Sequence, residues 1–323
     1  MNNFWNSLPR PILALAPMVG VTDSAFRQLA KQWGADVVYS EMISADALVH
    51  RAEKAHAMMD HVLSEQPLVV QLMGNKPEVL AEAARMAEAR GASGIDINFG
   101  CPAHKIARNF CGVMLMRDLD LSRRLIEAVI SAVKLPVSIK VRVSIRKDPS
   151  NPARGHITIN DLLEKIADLP IAAVMVHGRS FEDSFEGGIR AEMIASVKER
   201  FTKGPVLANG GVTDVESSRV VLQKTGADGL GLARIAIGRP WIFKQIKDFL
   251  ATGQYDDMQW ESIKETILQH AELFDRHRGR IPFRDMRRHL THYVRSRAHA
   301  SELRQRLVQV NASQEVASIL SSY

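Results

Sequence analysis

Short runs of β-branched and other apolar residues recur eight times along the chain, and most are followed by a stretch with the period of an amphipathic helix. Strands and helices that alternate eight times predict a closed parallel barrel, the (β/α)8 TIM barrel. The predicted strands are Pro11–Ala16, Val37–Ser40, Leu68–Leu72, Gly94–Asn98, Pro136–Lys140, Ala173–Val176, Pro205–Ala208 and Gly229–Leu232.

Several predicted helices have recognisable starts. Thr22 or Asp23 is expected to cap AFRQLAKQW, and Pro77 stands in the first turn before VLAEAARMAEAR. Asn160 and Thr213 are expected to cap DLLEKIADL and DVESSRVVLQK. These signals place a helix after the corresponding strands, as a barrel requires.

A doubly wound open sheet is the competing architecture. It usually has a glycine-rich turn after its first strand. The corresponding turn here, APMVGVTD, contains one glycine, which favours the barrel.

The strand pattern stops after about Asp257. Four later segments have the apolar period of amphipathic helices: ESIKETILQHAELFDRH, FRDMRRHLTHYVRSR, SELRQRLVQV and SQEVASILSS. We therefore expect a catalytic barrel domain over residues 1–250 and a small C-terminal α-helical bundle over residues 257–323.

Positive charge is concentrated in this predicted bundle. The net charge of the whole chain is +6, but between Arg276 and Arg306 ten arginines face two acids, Asp285 and Glu302, a local excess of eight. The arginines are Arg276, Arg278, Arg280, Arg284, Arg287, Arg288, Arg295, Arg297, Arg304 and Arg306. Such a cluster indicates either a surface that binds phosphates or a merely solvated helix face.

Composition narrows the class of protein. The chain of 323 residues is 46% apolar and 24% charged, as in an ordinary soluble protein. No apolar run approaches the roughly 20 residues that span a bilayer. The N-terminal MNNFWNSLPRP lacks the features of a signal peptide. We expect a cytoplasmic protein that does not bind membranes.

The two cysteines, Cys101 and Cys111, cannot form a disulfide framework or supply the four thiolates of an iron–sulfur cluster. If either has a function, it acts as a single reactive thiol. No metal ligands are assigned.

Polar residues and glycines stand at the predicted C-terminal ends of most strands, where barrels of this kind place their active sites. One such residue is more often structural, but a set that converges on one rim indicates a functional site. The set comprises Glu41, Gln71, Asn98, Cys101, Lys140, His177, Asn209, Gly210, Gly211, Ala233 and Arg234.

Two features of this rim suggest an anionic or electron-rich ligand. The loops ANGGV and LARIAIGRPW occupy the positions that commonly bind phosphate, with Gly210 and Gly211 open to close approach and Arg234 supplying charge. Lys140 is predicted to face inward in SIKVR, where it needs a partner. The edge of a flavin ring and a structural ion pair both meet that need.

The motifs NFGCP, SIKVR, VHGR, ANGGV and GRPW occur in this order, and with them the sequence closely resembles the tRNA-dihydrouridine synthases, especially the bacterial B-type branch. The resemblance extends from LAPMVGVTDSAFR to RDMRRHLTHYVR, nearly the whole chain. It implies an enzyme that contains flavin mononucleotide (FMN), is reduced by NADPH, and reduces the C5=C6 bond of particular uridines in tRNA.

The resemblance also implies residue roles. Cys101 protonates C5 while the flavin N5 delivers hydride to C6. The flavin contacts are Pro17, Met18, Gln71, Lys140 and His177, and the phosphate contacts are Asn209, Gly211, Ala233 and Arg234. Asn98 and Arg179 face the uracil.

This chemistry is reasonable by itself. Hydride at C6 builds negative charge on O4 and C5, which a group on the opposite face of the ring must protonate. A thiol with the ordinary pKa of about 8.5 is mostly protonated at neutral pH. A uridine in folded RNA must first swing out of its stack, at a cost of roughly a few kcal/mol. Arginines that bind phosphates can offset that cost.

The sequence departs from the family pattern at three places. Phe110 stands where the family usually has glycine, Cys111 stands where it has a small residue, and Ala233 replaces the glycine before the phosphate-loop arginine. We expect Phe110 to affect the substrate loop and Cys111 to be a bystander. RVSIRKDPSNPARGHITIN is also longer and more basic than expected, as an RNA contact or a solvated loop.

Three further readings remain open. Ribosomal RNA is an alternative substrate for the same chemistry. A flavin barrel that acts on a free pyrimidine or an enone, as in dihydroorotate dehydrogenases, needs no basic helical bundle. A non-catalytic RNA-binding or chaperone protein on a decayed barrel accounts for Phe110 and Ala233. The sequence indicates neither an oligomeric state nor the position of the uridine.

Overall fold

The computed structural model describes residues 3–183, 188–276, 282–295 and 300–323. Within these ranges the strands are β1 (Ile12–Leu15), β2 (Val37–Ser44), β3 (Leu68–Met73), β4 (Gly94–Phe99), β5 (Val137–Arg142), β6 (Ser144–Arg146), β7 (His156–Thr158), β8 (Ala173–His177), β9 (Val206–Asn209) and β10 (Gly229–Leu232). Eight of them form a closed parallel barrel in the order β1-β2-β3-β4-β5-β8-β9-β10, with β10 pairing again to β1. The predicted fold class is confirmed.

The strand register brings the chemically interesting residues to one level. Asn98 of β4 pairs with Lys140 of β5, and His177 of β8 pairs with both Arg142 of β5 and Asn209 of β9. Because the strands are parallel, their C-terminal ends meet at one rim. The register of β2 against β3 shifts between Tyr39 and Met42. Glu41, expected to follow the second strand, therefore lies within β2 at this irregularity.

The helices of the barrel region are α1 (Ser24–Gln32), α2 (Ala45–Val49), α3 (Glu53–Ala57), α4 (Pro77–Ala89), α5 (His104–Arg108), α6 (Leu119–Ala132), α7 (Ile159–Lys165), α8 (Ala191–Arg200), α9 (Val215–Thr225) and α10 (Ile242–Thr252). Pro77 begins α4, as predicted. Asp23, one of the two candidates, caps α1 by accepting a hydrogen bond from the backbone N–H of Phe26.

Two of the predicted caps were wrong by one or two positions. Thr158 caps α7 with a reciprocal bond to Asp161, so Asn160 lies inside the helix. Asp214 rather than Thr213 caps α9, because its carboxylate accepts from the backbone N–H of Ser217. The predicted and the observed residues are all of types that cap helices well. The sequence alone therefore does not decide between such close neighbours.

Apolar side chains fill the barrel on both sides of the sheet. Inside the barrel, Trp5 and Tyr39 pack with Val69, Met175 and Leu207. Outside, a larger cluster lies between the strands and the surrounding helices. The strands read as nearly continuous apolar runs because both of their faces are buried.

The segment RVSIRKDPSNPARGHITIN contains an antiparallel hairpin of β6 and β7 and is not a simple solvated loop. Arg117 Nε donates to the carbonyl of Arg146 at 3.1 Å, and the N–H of Arg146 donates to Glu182 Oε1 at 2.9 Å. These bonds fix the hairpin against its neighbours. Each strand has three residues, too few to produce a clear alternating pattern in the sequence.

The C-terminal region is helical, as predicted, with α11 (Trp260–Asp275), α12 (Arg287–Tyr293), α13 (Ala300–Leu307) and α14 (Ser313–Leu320). Their apolar side chains share one cluster with Ala25 and Leu29 of α1 and with Trp241. The division at residues 250–257 stays a prediction. Three of the ten arginines in the basic cluster, Arg278, Arg280 and Arg297, lie outside the described residues. No helix in the described ranges is long and apolar enough to cross a bilayer.

Candidate functional site

A cavity of about 690 Å³ opens at the C-terminal end of the barrel. That volume lies within the range of small-molecule sites. Glu41 of the predicted rim does not line it, whereas every residue to which the resemblance assigns a role does: Pro17, Met18, Gln71, Asn98, Cys101, Lys140, His177, Arg179, Asn209, Gly211, Ala233 and Arg234. The structure thus brings together residues from seven different strand ends or the loops that follow them.

One wall of the cavity is a glycine turn after β9. Gly210 and Gly211 have φ values of +93° and +80°, which favour glycine. A Cβ at Gly211 would lie 3.0 Å from Ile189 Cδ1, and one at Gly210 would lie 3.1 Å from His177 Cδ2. Asn209 Nδ2 donates to the carbonyl of Gly231 at 2.7 Å and so ties β9 to β10. Backbone N–H groups and the exposed Arg234 thus border the same wall.

Lys140 also lines the cavity and faces inward, as its place in β5 predicts. Burial lowers its pKa to about 8, opposed by the nearby Asp96 and reinforced by Arg142. Within the described residues, its ammonium group makes no hydrogen bond or ion pair. A half-buried cation in this state suits an anionic or electron-rich ligand.

His177 is a neutral imidazole. Burial, followed by the cations Lys140, Arg142, Arg179 and Arg234, lowers its pKa to about 2. Arg179 Nη1 donates to His177 Nε2 at 3.4 Å, so Nε2 is the acceptor nitrogen and Nδ1 carries the proton. His177 therefore offers the cavity an uncharged ring.

The loop after β4 presents Cys101 to the cavity with a partly exposed side chain. Asn98 Oδ1 accepts hydrogen bonds from the backbone N–H groups of Gly100 and Cys101 at 3.0 and 2.9 Å. The thiol is therefore held on a fixed turn. Cys111 is buried and lies outside this lining, and burial raises its pKa to about 11, so the expectation of a bystander fits its surroundings.

Sequence reasoning missed Arg142. Its side chain lines the cavity, its Nε donates to the carbonyl of Gly100 at 3.0 Å, and its Nη1 donates to the carbonyl of Ser180 at 2.7 Å. Arg142 thereby joins the loop that carries Cys101 to the loop after β8. The signal was the alternation of Ser138, Lys140 and Arg142 on one face of β5.

Phe110 occupies a position that explains the glycine of the family. It follows α5 with a φ of +52°. The N–H of Phe110 donates to the carbonyl of Ala107 at 3.0 Å, and the N–H of Cys111 donates to the carbonyl of Ile106 at 3.2 Å. These two bonds form a Schellman motif, in which glycine is usual at the position of Phe110. The ring packs against the core outside the cavity lining.

The basic bundle reaches the rim of the cavity through Arg288 of α12. Its Nη1 donates to the carbonyl of Gly20 at 2.8 Å and to that of Val19 at 3.4 Å. The N–H of Gly20 donates in turn to the carboxylate of Glu41. Glu41 therefore contacts the loop that contains Pro17 and Met18 without lining the cavity itself.

A closed parallel barrel whose polar residues converge on a cavity at the C-terminal rim defines the class of (β/α)8 enzymes. Within that class, the family model described as Dihydrouridine synthase (Dus) matches residues 14–322. The chain belongs to this family, which confirms the resemblance read from its motifs.

Curated relatives of similar length have names from the same family. The tRNA-dihydrouridine synthase B of Pseudomonas syringae pv. tomato is 37% identical over 90% of this chain and 85% of its own length. Proteins of the same name from Yersinia pestis and Escherichia coli K12 are 36% and 33% identical, each over 96% of this chain and 95% of their own length.

Solved structures with low identity share the fold. Histamine dehydrogenase from Rhizobium sp. 4-9 has a TM-score of 0.54 at 13% identity, over 81% of this chain and 49% of that chain. The old yellow enzyme from Trypanosoma cruzi has a TM-score of 0.50 at 12% identity, over 78% and 91%.

Proposed function

We propose that this protein reduces the C5=C6 bond of uridines in tRNA to 5,6-dihydrouridine, with FMN as cofactor, NADPH as reductant and Cys101 as proton donor. One observation carries the proposal: Cys101, Lys140, His177 and the Gly210–Gly211 turn line the same cavity at the barrel rim. The names of the curated relatives support the same reaction.

The residues of the cavity fit FMN. The turn at Gly210 and Gly211 lets backbone N–H groups approach a phosphate closely, and Arg234 adds positive charge. Lys140 makes no hydrogen bond or ion pair within the described residues and suits the electron-rich edge of the flavin ring. Gln71, which lines the same cavity, is the other proposed polar contact of the ring. When bound, the reduced flavin supplies hydride for C6 of the uracil.

Cys101 supplies the proton for C5. Negative charge that develops at C5 takes the proton from the thiol, and a positioned acid of this kind contributes about 10² to 10⁴ in rate. Asn98 and Arg142 hold the loop that carries Cys101 from two sides. Asn98 and Arg179, which line the same cavity, are the proposed contacts of the uracil.

RNA is favoured over a free pyrimidine because the basic bundle borders the cavity. Arg288 contacts the loop at Val19 and Gly20, so α12 lies next to the entrance. Exposed arginines on or beside this helix, such as Arg284 and Arg295, are suited to phosphates that flank a flipped-out uridine.

The test combines cofactor analysis with product analysis. Purified protein is expected to be yellow and to release FMN. With NADPH it should form dihydrouridine in tRNA taken from cells that lack this gene, measured by mass spectrometry after nuclease digestion. Cys101→Ser should lower the rate by about 100-fold or more with FMN still bound, and the matched variant Cys111→Ser should retain the rate.

Three outcomes contradict the proposal. Colourless protein that does not take up added FMN excludes the flavin, and an unchanged rate in Cys101→Ser excludes the thiol as the acid. Dihydrouridine that appears in ribosomal RNA or free uridine, and not in tRNA, assigns the chemistry to another substrate. Replacement of NADPH by NADH tests the reductant.

A further inference from the structure

Asp96 is a fully buried carboxylate of β4, located behind the residues that line the cavity. Its Oδ2 accepts a hydrogen bond from Gln71 Nε2 at 2.7 Å, and its Oδ1 accepts one from Ser138 Oγ at 2.7 Å. Burial raises its pKa to about 6, so it is mostly ionised at neutral pH. An ionised carboxylate in the interior costs stability unless hydrogen bonds compensate for its lost hydration.

The bonds from Asp96 run in one direction toward the cavity. Gln71 Oε1 accepts from Asn98 Nδ2 at 2.8 Å. Asn98 Oδ1 accepts from the backbone N–H of Cys101 at 2.9 Å and from that of Gly100 at 3.0 Å. The chain of bonds thus connects a buried charge to the loop that carries the proposed proton donor.

The charge of Asp96 determines this direction. The two ends of an amide side chain have nearly the same shape, so only their partners fix which end faces where. A carboxylate can only accept, and Gln71 must therefore present Nε2 to Asp96. Its Oε1 then faces Asn98, which must donate from Nδ2. In the reversed arrangement, two oxygens would meet at Asp96 and two N–H donors would meet at Cys101.

We propose that Asp96 is a positioning residue that fixes the orientation of the Gln71 and Asn98 amides and, through them, the backbone of Cys101. The same orientation leaves the second N–H of Gln71 available to an acceptor in the cavity. This inference rests on the roles of Cys101 and FMN in the proposed function.

A simple charge pair with Lys140 is the competing explanation. Between these two described residues, however, no hydrogen bond or ion pair occurs. Ser138 offers a matched control because it bonds the same carboxylate but lies outside the chain from Gln71 to Cys101. A merely structural role of Asp96 predicts similar effects of Asp96→Asn and Ser138→Ala.

The first experiment uses flavin-free protein in a Cys111→Ala background, so that one thiol remains. Alkylation of Cys101 by iodoacetamide should be about fivefold faster in Asp96→Asn, the ratio for one lost hydrogen bond. The Kd for FMN, measured by fluorescence titration, should rise by about the same factor. Ser138→Ala should change both by less than about twofold. Rates within twofold for Asp96→Asn, or equal effects of Ser138→Ala, overturn the proposal.

The second experiment exchanges the charge and the amide. In the double variant Asp96→Asn/Gln71→Glu, the new carboxylate at position 71 accepts from the new amide at position 96 and from Asn98 Nδ2. The orientation of Asn98 is restored, whereas the N–H that position 71 offered to the cavity is lost. Alkylation of Cys101 should return to the rate of the Cys111→Ala parent, while the Kd for FMN should stay above that of the parent. A double variant that alkylates as fast as Asp96→Asn contradicts the inference.

A folding defect and a loss of positioning give different results in these measurements. If circular dichroism shows that Asp96→Asn does not fold, Asn98→Ala removes the last link alone and should give the same faster alkylation. An unchanged rate in Asn98→Ala then overturns the proposal. Because alkylation needs neither FMN nor RNA, it can fail while uridine reduction stands, and the reverse also holds.

Discussion

At the scale of single residues, Phe110 shows how one backbone angle constrains the choice of side chain. Its left-handed φ of +52° satisfies the end of α5, but a Cβ in that conformation costs about 1 to 2 kcal/mol. The half-buried ring packs against the core and offsets part of this cost. The ring lies outside the lining of the cavity, and the expected effect of Phe110 on the substrate loop stays a prediction.

Substitutions at Phe110 can separate strain from packing. Phe110→Ala and Phe110→Gly both lose the ring, but only alanine keeps the strained Cβ. We expect Phe110→Ala to be less stable than Phe110→Gly by about 1 kcal/mol in urea unfolding. In the interior of the same helix, Ala107→Gly should instead destabilise by about 1 kcal/mol. Equal stabilities of the two Phe110 variants would show that the angle carries no strain.

At the scale of elements, the strands were the most predictable part. Strands such as β8 and β9 are buried on both faces and leave continuous apolar runs, and residues at their ends, such as His177 and Asn209, marked the rim. The hairpin of β6 and β7 was not predictable because its short strands pair with each other and not with the barrel. Asp96 escaped notice because its partners lie on other strands and depend on the register.

The helix α12 of the bundle contacts the loop after β1. Arg288 holds the carbonyls of Val19 and Gly20, whereas its neighbour Arg287 bonds the carbonyls of Val310 and Gln309 inside the bundle. A Cβ at Gly20, where φ is +70°, would lie 2.2 Å from Arg288 Nη1, so the approach is close. Two adjacent arginines therefore support different structures.

Substitutions of these two arginines should therefore change two different quantities, FMN affinity and thermal stability. Arg288→Gln frees the loop that carries Met18, so we expect the Kd for FMN to rise about two- to fivefold with little change in melting temperature. Arg287→Gln should lower the melting temperature and leave the Kd unchanged. Fluorescence titration and calorimetry measure the two quantities. Identical profiles for both variants would refute the separation.

At the scale of the whole molecule, the bundle and the barrel share a core. Ala25 and Leu29 of α1 and the side chain of Trp241 pack with apolar residues of α11 to α14. Deletion of residues 257–323 would expose these side chains to water and destabilise the barrel. A deletion therefore cannot separate RNA binding from catalysis, and substitutions of surface arginines are the better test.

Those substitutions should act through the salt dependence of RNA binding. Arg284 and Arg295 are exposed on the bundle, whereas Arg200 is exposed at the end of α8, next to the N-terminal end of the barrel. Each phosphate contact adds roughly 0.7 to 0.9 to the slope of log Kd against log salt. We expect Arg284→Gln and Arg295→Gln each to reduce the slope by about that amount, and the control Arg200→Gln to leave it unchanged. Filter binding of tRNA across a salt series measures the slope. If all three variants keep the wild-type slope, the RNA does not contact this face of the bundle, and the positive charge next to the cavity needs another explanation.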